Sequence, residues 1–243
     1  MQNDMQIDQI KNIIEKSDNI VFFGGAGVST ESGIPDFRSA DGIYHQKYAY
    51  PPEQILGYSF FTQHPDVFYQ FYREKILDCS INAKPNAAHI KLAEWEKQNK
   101  LKAVITQNID TLHEEAGSKN VLHLHGKIED NYCNKCNKYF SLDEINKQKG
   151  IAYCDACGGV IHPGIVLYEE SLDAATIEKS IQYISDADVL IIGGTSLSVY
   201  PAAGFIQYYR GNKMILINMV DVSNRYMNYF IQGKVGEILA QMP

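Results

Sequence analysis

Long apolar runs are absent from this 243-residue sequence. The longest aliphatic and aromatic runs are short segments such as IVFF and VLII, whereas a membrane-spanning helix needs roughly 20 apolar residues. The first residues, MQNDMQIDQIKNIIEKSD, also contain no apolar segment like that of a signal peptide. We therefore expect a cytoplasmic protein with no membrane partner.

Basic residues are scarce, since 22 Lys and Arg are outnumbered by 29 Asp and Glu, for a formal charge of -7. Non-specific nucleic-acid binding needs clustered basic side chains, so the composition argues against a direct nucleic-acid partner. Internal repeats and low-complexity tracts are absent as well. The length suits one large domain, alone or with a small satellite.

Cysteine is also sparse, but four of the five cysteines form two Cys-x-x-Cys pairs. Cys133 and Cys136 are separated from Cys154 and Cys157 by a spacer of seventeen residues, which is typical of a tetrahedral zinc site. A redox dithiol would need one pair and would leave the second unexplained. Four thiolates fill the coordination shell, so we predict one structural Zn²⁺ without an open position.

Four near-continuous apolar runs predict buried parallel strands, because strands covered on both faces are apolar throughout. They lie at residues 19–23, 102–106, 187–194 and 213–218. Helical patterns lie at residues 65–78, 86–98, 173–184 and 203–209. Alternating strands and helices predict an α/β fold with a doubly wound parallel sheet.

Two regions interrupt this alternation. We expect residues 1–35, 81–125 and 165–243 to form a nucleotide-binding core with two insertions. Residues 36–80, rich in aromatic residues and proline, would form a loop followed by helices. Residues 126–164 would form a zinc ribbon that is too short to bury its own core and depends on its metal.

Glycine-rich loops follow the first and third predicted strands. Gly25 and Gly27 match the first two glycines of a dinucleotide-binding fingerprint, but Thr30 occupies the third position. The second loop is GTS at residues 194–196. Ordinary strand–helix turns also favour such residues. Two loops, however, are what a dinucleotide lying across a parallel sheet requires.

Polar residues follow the strand at residues 102–106. Asn108 and Asp110 would project from its carboxyl end, where ligands bind in open sheets, although Asp110 could equally cap the next helix. Beside the first glycine loop, Phe37 could cover a flat leaving group and Arg38 could clamp phosphate. An exposed loop with a solvated Arg38 is the alternative.

Two histidines alternate along the segment NVLHLHGK. Strand alternation puts His123 and His125 on one face, and neither is needed as a zinc ligand. A histidine at such a boundary can act as a general base. Other histidines, including His89 and His113, are expected to have structural roles.

Together these segments resemble the sirtuins, the NAD-dependent protein deacylases, and most closely their compact bacterial and archaeal members. The matching motifs occur in order over nearly the whole chain: GAGVSTESGIPDFRS at 25–39, TQNIDTLHEEAGS at 106–118, LHG at 124–126, the two cysteine pairs, GTSLSVYPAA at 194–203 and ILIN at 215–218. The resemblance implies that NAD binds in the cleft between a Rossmann-type domain and a smaller domain.

The resemblance also implies roles for individual residues. His125 would be the catalytic base, Asn108 would lie near the ribose and an ordered water, and His123 would have no such role. Val166 and Tyr168 would contact the acyl-lysine, on a strand that pairs with the substrate backbone. The residues that would contact NAD are Gly25, Ala26, Thr30, Phe37, Arg38, Gln107, Asn108, Ile109, Asp110, His125, Gly194, Thr195, Ser196, Asn218 and Val235.

The implied reaction consumes NAD and one water, transfers the acyl group of a modified lysine to ADP-ribose, and releases nicotinamide, free lysine and O-acetyl-ADP-ribose. The expected partners are acetylated lysine-containing proteins or peptides, and we expect a monomer. The desuccinylase branch carries a Tyr-x-x-Arg pair, but here Gln70 stands three residues before Arg73. We therefore expect neutral acyl groups, acetyl first.

Three positions depart from the family pattern. Gly24 stands where threonine is usual, His162 where arginine is usual, and Glu169 where glycine is common. Because Glu169 would lie beside the peptide strand, we expect it to favour basic residues flanking the modified lysine.

Two other functions stay open. A protein mono-ADP-ribosyltransferase shares the NAD cleavage step, although the branch devoted to that activity lacks the histidine found here at position 125. A non-catalytic, NAD-responsive binding module would use the same pocket without turnover.

Overall fold

A computed structural model describes residues 2–37, 42–43 and 49–243, and a six-stranded parallel sheet forms the centre of this part of the chain. Its strands are β1 (Ile20–Gly24), β2 (Leu101–Thr106), β3 (Val121–His123), β7 (Val189–Gly193), β8 (Met214–Asn218) and β9 (Tyr229–Gln232). Their order in the sheet is β3-β2-β1-β7-β8-β9. This is the usual order of a dinucleotide-binding sheet, with its switch point between β1 and β7. The predicted Rossmann-like α/β class is confirmed.

The four predicted strands correspond to β1, β2, β7 and β8, with ends that differ by at most two residues. Strand β9 was not predicted, because it is a short edge strand with a single buried residue, Ile231. Strand β3 ends at His123, so the predicted alternation does not extend as a strand to His125, which lies in the following turn.

Helices flank the sheet and build the first insertion. They are α1 (Gln2–Glu15), α2 (Pro52–Ile55), α3 (Tyr58–Gln63), α4 (Pro65–Tyr72), α5 (Asp78–Ile81), α6 (Ala87–Lys97), α7 (Leu112–Glu115), α8 (Leu142–Asn146), α9 (Ala174–Asp186) and α10 (Val235–Leu239). The helix predicted at 65–78 is interrupted by a π-helical segment, Arg73–Leu77, and the one predicted at 203–209 is a 3₁₀ helix, Ala202–Tyr208. Side-chain caps at Asn86 and Asp173 fix the starts of α6 and α9.

Both faces of the large sheet are buried. Phe22 packs on the side of α1 and α6, together with Ile14 and Trp95. The next residue, Phe23, packs on the opposite side against Ile184 of α9. This alternation explains why the central strands are apolar at every position rather than at every second one.

The two insertions share one hydrophobic core. The second insertion contains a small antiparallel sheet of β4 (Asn131–Cys133), β5 (Tyr139–Phe140) and β6 (Ile161–His162). Ile145 and Ile161 of this ribbon belong to the same buried cluster as Phe61, Phe68 and Tyr72 of the helical insertion. The ribbon therefore gains apolar cover from α3 and α4. Among the described residues, no helix is long and apolar enough to span a membrane.

Two histidines lie in the interior where α6 meets α7. His89 and His113 are fully buried, and their ring centroids are 4.7 Å apart. Within the described part of the chain, His89 Nε2 and both ring nitrogens of His113 have no hydrogen-bond partner. Burial lowers the pKa of His89 to about 4. Burial, followed by the charges of His89 and His123, lowers the pKa of His113 well below its ordinary value.

Because of His89 and His113, we expect the folded protein to lose stability in mild acid. The unfolded chain binds protons at both sites near pH 6.5, whereas the folded chain resists them, so stability is full above pH 6.5 and falls as the pH drops towards 4. For His89 alone the loss is on the order of 3 kcal/mol. Chemical denaturation at pH 7.5, 6 and 5 measures it. His89→Gln should flatten this dependence while the exposed control His64→Gln should not; equal slopes in all three proteins would contradict the prediction.

Candidate active site

Two glycine loops meet at the carboxyl ends of β1 and β7. The amide of Gly25 donates to the carbonyl of Gly193 at 3.1 Å, and that of Gly27 to the carbonyl of Gly194 at 2.8 Å. A Cβ on Gly27 would lie 2.8 Å from Gly194 Cα, and Gly194 itself has φ +60°. The two backbones thus touch directly at the switch point, where a side chain on either loop would clash with the other and where dinucleotides cross a parallel sheet.

Polar side chains from two further strand ends join these loops. Gln107, just after β2, donates from Nε2 to Thr195 Oγ1 at 3.1 Å. Asn218, the last residue of β8, donates from Nδ2 to the carbonyl of Thr195 at 3.3 Å. Residues predicted from four separate segments are therefore brought to one edge of the sheet.

A buried polar cluster lies beside the first loop. Asn108 Nδ2 donates to Ser29 Oγ at 2.9 Å, and Ser29 Oγ donates to Asp110 Oδ2 at 2.8 Å. Burial raises the pKa of Asp110, and the hydrogen bond from Ser29 partly offsets this. Asp110 Oδ1 also accepts from the amide of Leu112, the first residue of α7, at 3.2 Å, while Thr111 is the N-cap of that helix.

Sequence reasoning missed Ser29. It is 1% exposed, and its hydroxyl is the central member of this cluster. Its position in the first glycine-loop motif was the available signal, but no spacing rule connects it to Asp110, 81 residues later.

His125 is fixed by the loop that follows β2. Its Nδ1 donates to the carbonyl of Gln107 at 2.9 Å, because a carbonyl can only accept. Nε2 then carries the lone pair of the neutral ring. Burial lowers the pKa of His125, and the Gln107 hydrogen bond opposes this shift only in part. The ring is therefore neutral at neutral pH, as a proton acceptor must be.

The proposed substrate segment lies next to His125. The amide of Val166 donates to the carbonyl of His125 at 2.8 Å, and the amide of Tyr168 donates to the carbonyl of Leu56 at 3.0 Å. Along this extended segment Ile165 and Leu167 are buried, whereas Tyr168 is 40% exposed and Val166 is half-buried. The alternation leaves the two predicted contact residues facing outward.

The other residues predicted to contact the cofactor lie in different surroundings. Phe37 and Ile109 both pack against the core of the smaller domain. Val235 is buried in the core of the large sheet, in the same cluster as Val28 of the first loop. Arg38 lies outside the described residues. Ala26, Thr30 and Ser196 lie in the two loops, where Thr30 Oγ1 donates to the carbonyl of Gly27 at 3.0 Å and Ser196 Oγ lies 2.6 Å from Ser198 Oγ.

Two of the departures from the sirtuin pattern make specific contacts. Both carboxylate oxygens of Glu169 accept hydrogen bonds from Ser59, at 2.9 Å from its amide and 2.8 Å from its hydroxyl. Glu169 is thus engaged with the start of α3, and the expected preference for basic flanks stays a prediction. His162 is buried, with Nε2 3.0 Å from Glu170 Oε1. Gly24 ends β1, and a Cβ there would meet the Phe22 ring at 2.8 Å.

The four paired cysteines converge in the ribbon. Their Sγ atoms all lie within 4.8 Å of one another, with Cys133 and Cys157 at 3.4 Å and Cys136 and Cys154 at 3.6 Å. Four sulfurs around a Zn²⁺ with bonds of about 2.3 Å would be about 3.8 Å apart. The arrangement therefore fits one tetrahedral zinc ion.

Known proteins similar to this chain match it over almost its full length. The model of the Sir2 family matches residues 25–201. A Clostridium acetobutylicum protein named NAD-dependent protein deacetylase is 52% identical over 238 residues, which are 96% of this chain and 96% of that protein. A Sir2 structure with p53 peptide and NAD+ has a TM-score of 0.85 and 35% identity, covering 97% of this chain and 96% of the other. A Sir2 structure with deacetylated p53 peptide and 3'-O-acetyl ADP-ribose has a TM-score of 0.89 and 36% identity, covering 97% and 96%.

Proposed function

The chain belongs to the Sir2 family, and from that premise we propose that it is an NAD-dependent protein-lysine deacylase. The observation that carries the proposal is the geometry of His125. Its Nδ1 is bound to the carbonyl of Gln107, its neutral Nε2 is left as the proton acceptor, and its backbone is bonded to the proposed substrate segment at Val166. This arrangement suits a general base that takes a proton from a hydroxyl close to the acyl-lysine, which that segment would contact.

The residues around the two glycine loops would hold NAD. The loops at Gly25 and Gly194 would receive the pyrophosphate, and Thr195, Ser196 and Asn218 would bind the adenosine half. Phe37, Ile109 and Asp110 would enclose the nicotinamide, with Asn108 near the ribose. When bound, NAD supplies ADP-ribose as acyl acceptor and nicotinamide as leaving group. The remaining predicted contacts, Ala26, Thr30, Arg38, Gln107 and Val235, belong to the same proposal.

The protein groups have separate tasks in this proposal. His125 Nε2 would take a proton from a ribose hydroxyl of bound NAD. Asn108, held by its hydrogen bond to Ser29, would orient the reacting groups. Val166 and Tyr168 would hold the acyl-lysine from the other side. The zinc would only scaffold, because four sulfurs leave no ligand position for water or substrate.

The test is incubation of the purified protein with an acetyl-lysine peptide, with and without NAD, followed by mass spectrometry of all products. We expect deacetylated peptide, nicotinamide and O-acetyl-ADP-ribose, all dependent on NAD. ADP-ribose found on protein instead would support a mono-ADP-ribosyltransferase. NAD binding without any product would support a binding module.

We expect the enzyme to prefer acetyl to succinyl groups by about tenfold or more, because a carboxylate without a cationic partner in a closed acyl site is costly. Arg73 cannot provide that partner in the described arrangement. Its Nε donates to the carbonyl of Gly150 at 2.8 Å and its Nη2 to the carbonyl of Ile145 at 3.1 Å. Initial rates on two peptides that differ only in the acyl group measure the preference, and faster succinyl removal would contradict it.

Three broader assignments belong to the proposal. We assign residues 1–35, 81–125 and 165–243 to the NAD-binding domain, and 36–80 and 126–164 to the smaller domain, supported by the shared core of the two insertions. We assign a cytoplasmic location, supported by cysteines arranged as metal ligands rather than disulfides. We assign acetylated proteins or peptides as partners of a monomeric enzyme that does not bind nucleic acid directly.

A further inference from the structure

His123 makes two contacts that differ from those of His125. Its Nδ1 lies 3.2 Å from the carbonyl of Asn108, and its Nε2 lies 2.7 Å from Glu114 Oε1. His125 binds the preceding carbonyl, that of Gln107. Two histidines thus hold two consecutive carbonyls of the loop that connects β2 to α7, residues 107–111.

Both ring nitrogens of His123 are engaged by groups of the chain itself. A carbonyl oxygen faces Nδ1 and a carboxylate oxygen faces Nε2, and both of these groups can only accept hydrogen bonds. His125 differs because only its Nδ1 faces such a backbone acceptor, which leaves the other nitrogen for chemistry.

Glu114 connects this histidine to the far end of the loop. It lies on α7, which begins directly after the loop, so the His123–Glu114 pair bridges β3 and α7. Burial raises the pKa of Glu114, but the hydrogen bond and charge of His123 outweigh it and lower the pKa overall. The contact is partly shielded from solvent, since the His123 side chain is 10% exposed and that of Glu114 is 34% exposed.

We propose that His123 is a positioning residue which, with Glu114, holds the 107–111 loop in the shape that binds the nicotinamide end of NAD. The loop carries Asn108 and Asp110, whose side chains meet at Ser29, so a displaced Asn108 carbonyl would displace both side chains. This inference rests on the proposed function, because it assigns the loop to nicotinamide.

Three substitutions of His123 separate its two contacts. His123→Ala removes both. His123→Asn keeps a donor near the position of Nδ1, towards Asn108, and His123→Gln keeps one near the position of Nε2, towards Glu114. We expect the Kd and KM for NAD to rise about tenfold in His123→Ala and His123→Gln, and less than about threefold in His123→Asn. The KM for the peptide should be unchanged. A general loss of folded protein would instead lower the apparent kcat and leave both KM values as they are, so a raised KM for NAD is specific to the loop.

Matched changes on α7 test the bridge. Glu114→Gln should raise the Kd for NAD about threefold, because it keeps the shape of the side chain but removes the charge. Glu115→Gln is the control, since Glu115 is exposed, does not contact His123, and its replacement keeps an oxygen that can accept the hydrogen bond from Thr111. Hydrogen exchange of residues 107–112 without ligand should be faster in His123→Ala than in the wild type or Glu115→Gln.

Wild-type Kd values for NAD and unchanged loop exchange in His123→Ala and His123→Gln would overturn the proposal. Calorimetric NAD binding does not depend on turnover. If the wild type binds NAD but leaves acetyl-peptide intact, the proposed function fails, while the Kd comparison still decides the role of His123.

Discussion

Replacing His125 with alanine is expected to lower kcat for NAD-dependent deacetylation by about 100-fold or more, because a positioned general base contributes on that order. The neutral Nε2 of His125 is the proposed proton acceptor, and burial lowers the pKa of the ring. The base is needed unprotonated, so the acid limb of the wild-type rate should lie below the ordinary histidine value of about pH 6.5. Steady-state kinetics between pH 5 and 9 measure both effects.

The control for this experiment is His125→Asn. Its amide can still donate to the carbonyl of Gln107, which keeps the loop contact, but it cannot accept a proton at neutral pH. We expect it to lose turnover like the alanine variant while binding NAD within about threefold of the wild type. Substantial deacetylation by either variant would remove His125 from the role of base and leave the proposed mechanism without a proton acceptor.

Loss of the metal is expected to have the second-largest effect. Chelation, or Cys154→Ala, should unfold the ribbon and reduce deacetylation at least tenfold, because metal binding contributes on the order of 10 kcal/mol in isolated zinc modules. The effect should reach the site because the carbonyl of Gly164, at the end of the ribbon, accepts from the amide of Lys127 at 2.8 Å and adjoins the substrate segment. Metal analysis should give one zinc per wild-type chain.

Cys79→Ala is the matched control, since Cys79 lies outside the four-cysteine cluster. It should keep its zinc and its activity. In the chelated protein, hydrogen exchange should quicken at residues 131–162 but stay slow in β7 and β8, because the large sheet has its own core. Full activity of the zinc-free protein would show that the ribbon does not depend on the metal. A zinc ion that binds an exchangeable water would contradict a closed structural site.

The sequence by itself determined the features that arise from local pattern. Continuous apolar runs indicated parallel strands because both faces of the sheet are buried, and four central strands were found within two residues of their predicted ends. The paired cysteines indicated one metal site because their spacing suits one tetrahedral ion. The glycine loops were predicted because close backbone approach excludes a Cβ, and Gly27 and Gly194 meet in that way.

Only the tertiary structure decided what depends on neighbours distant in sequence. His123 and His125 are the same residue type two positions apart. His123 faces an acceptor at each ring nitrogen, whereas His125 faces one at Nδ1 alone, and only the fold decides this difference. Ser29 joins Asn108 and Asp110 through contacts across about eighty residues. Glu169 accepts two hydrogen bonds from Ser59, 110 residues away in sequence, while its effect on peptide preference stays a prediction. Donor and acceptor pairing is set by which groups the fold brings within about 3 Å, and sequence spacing does not encode it.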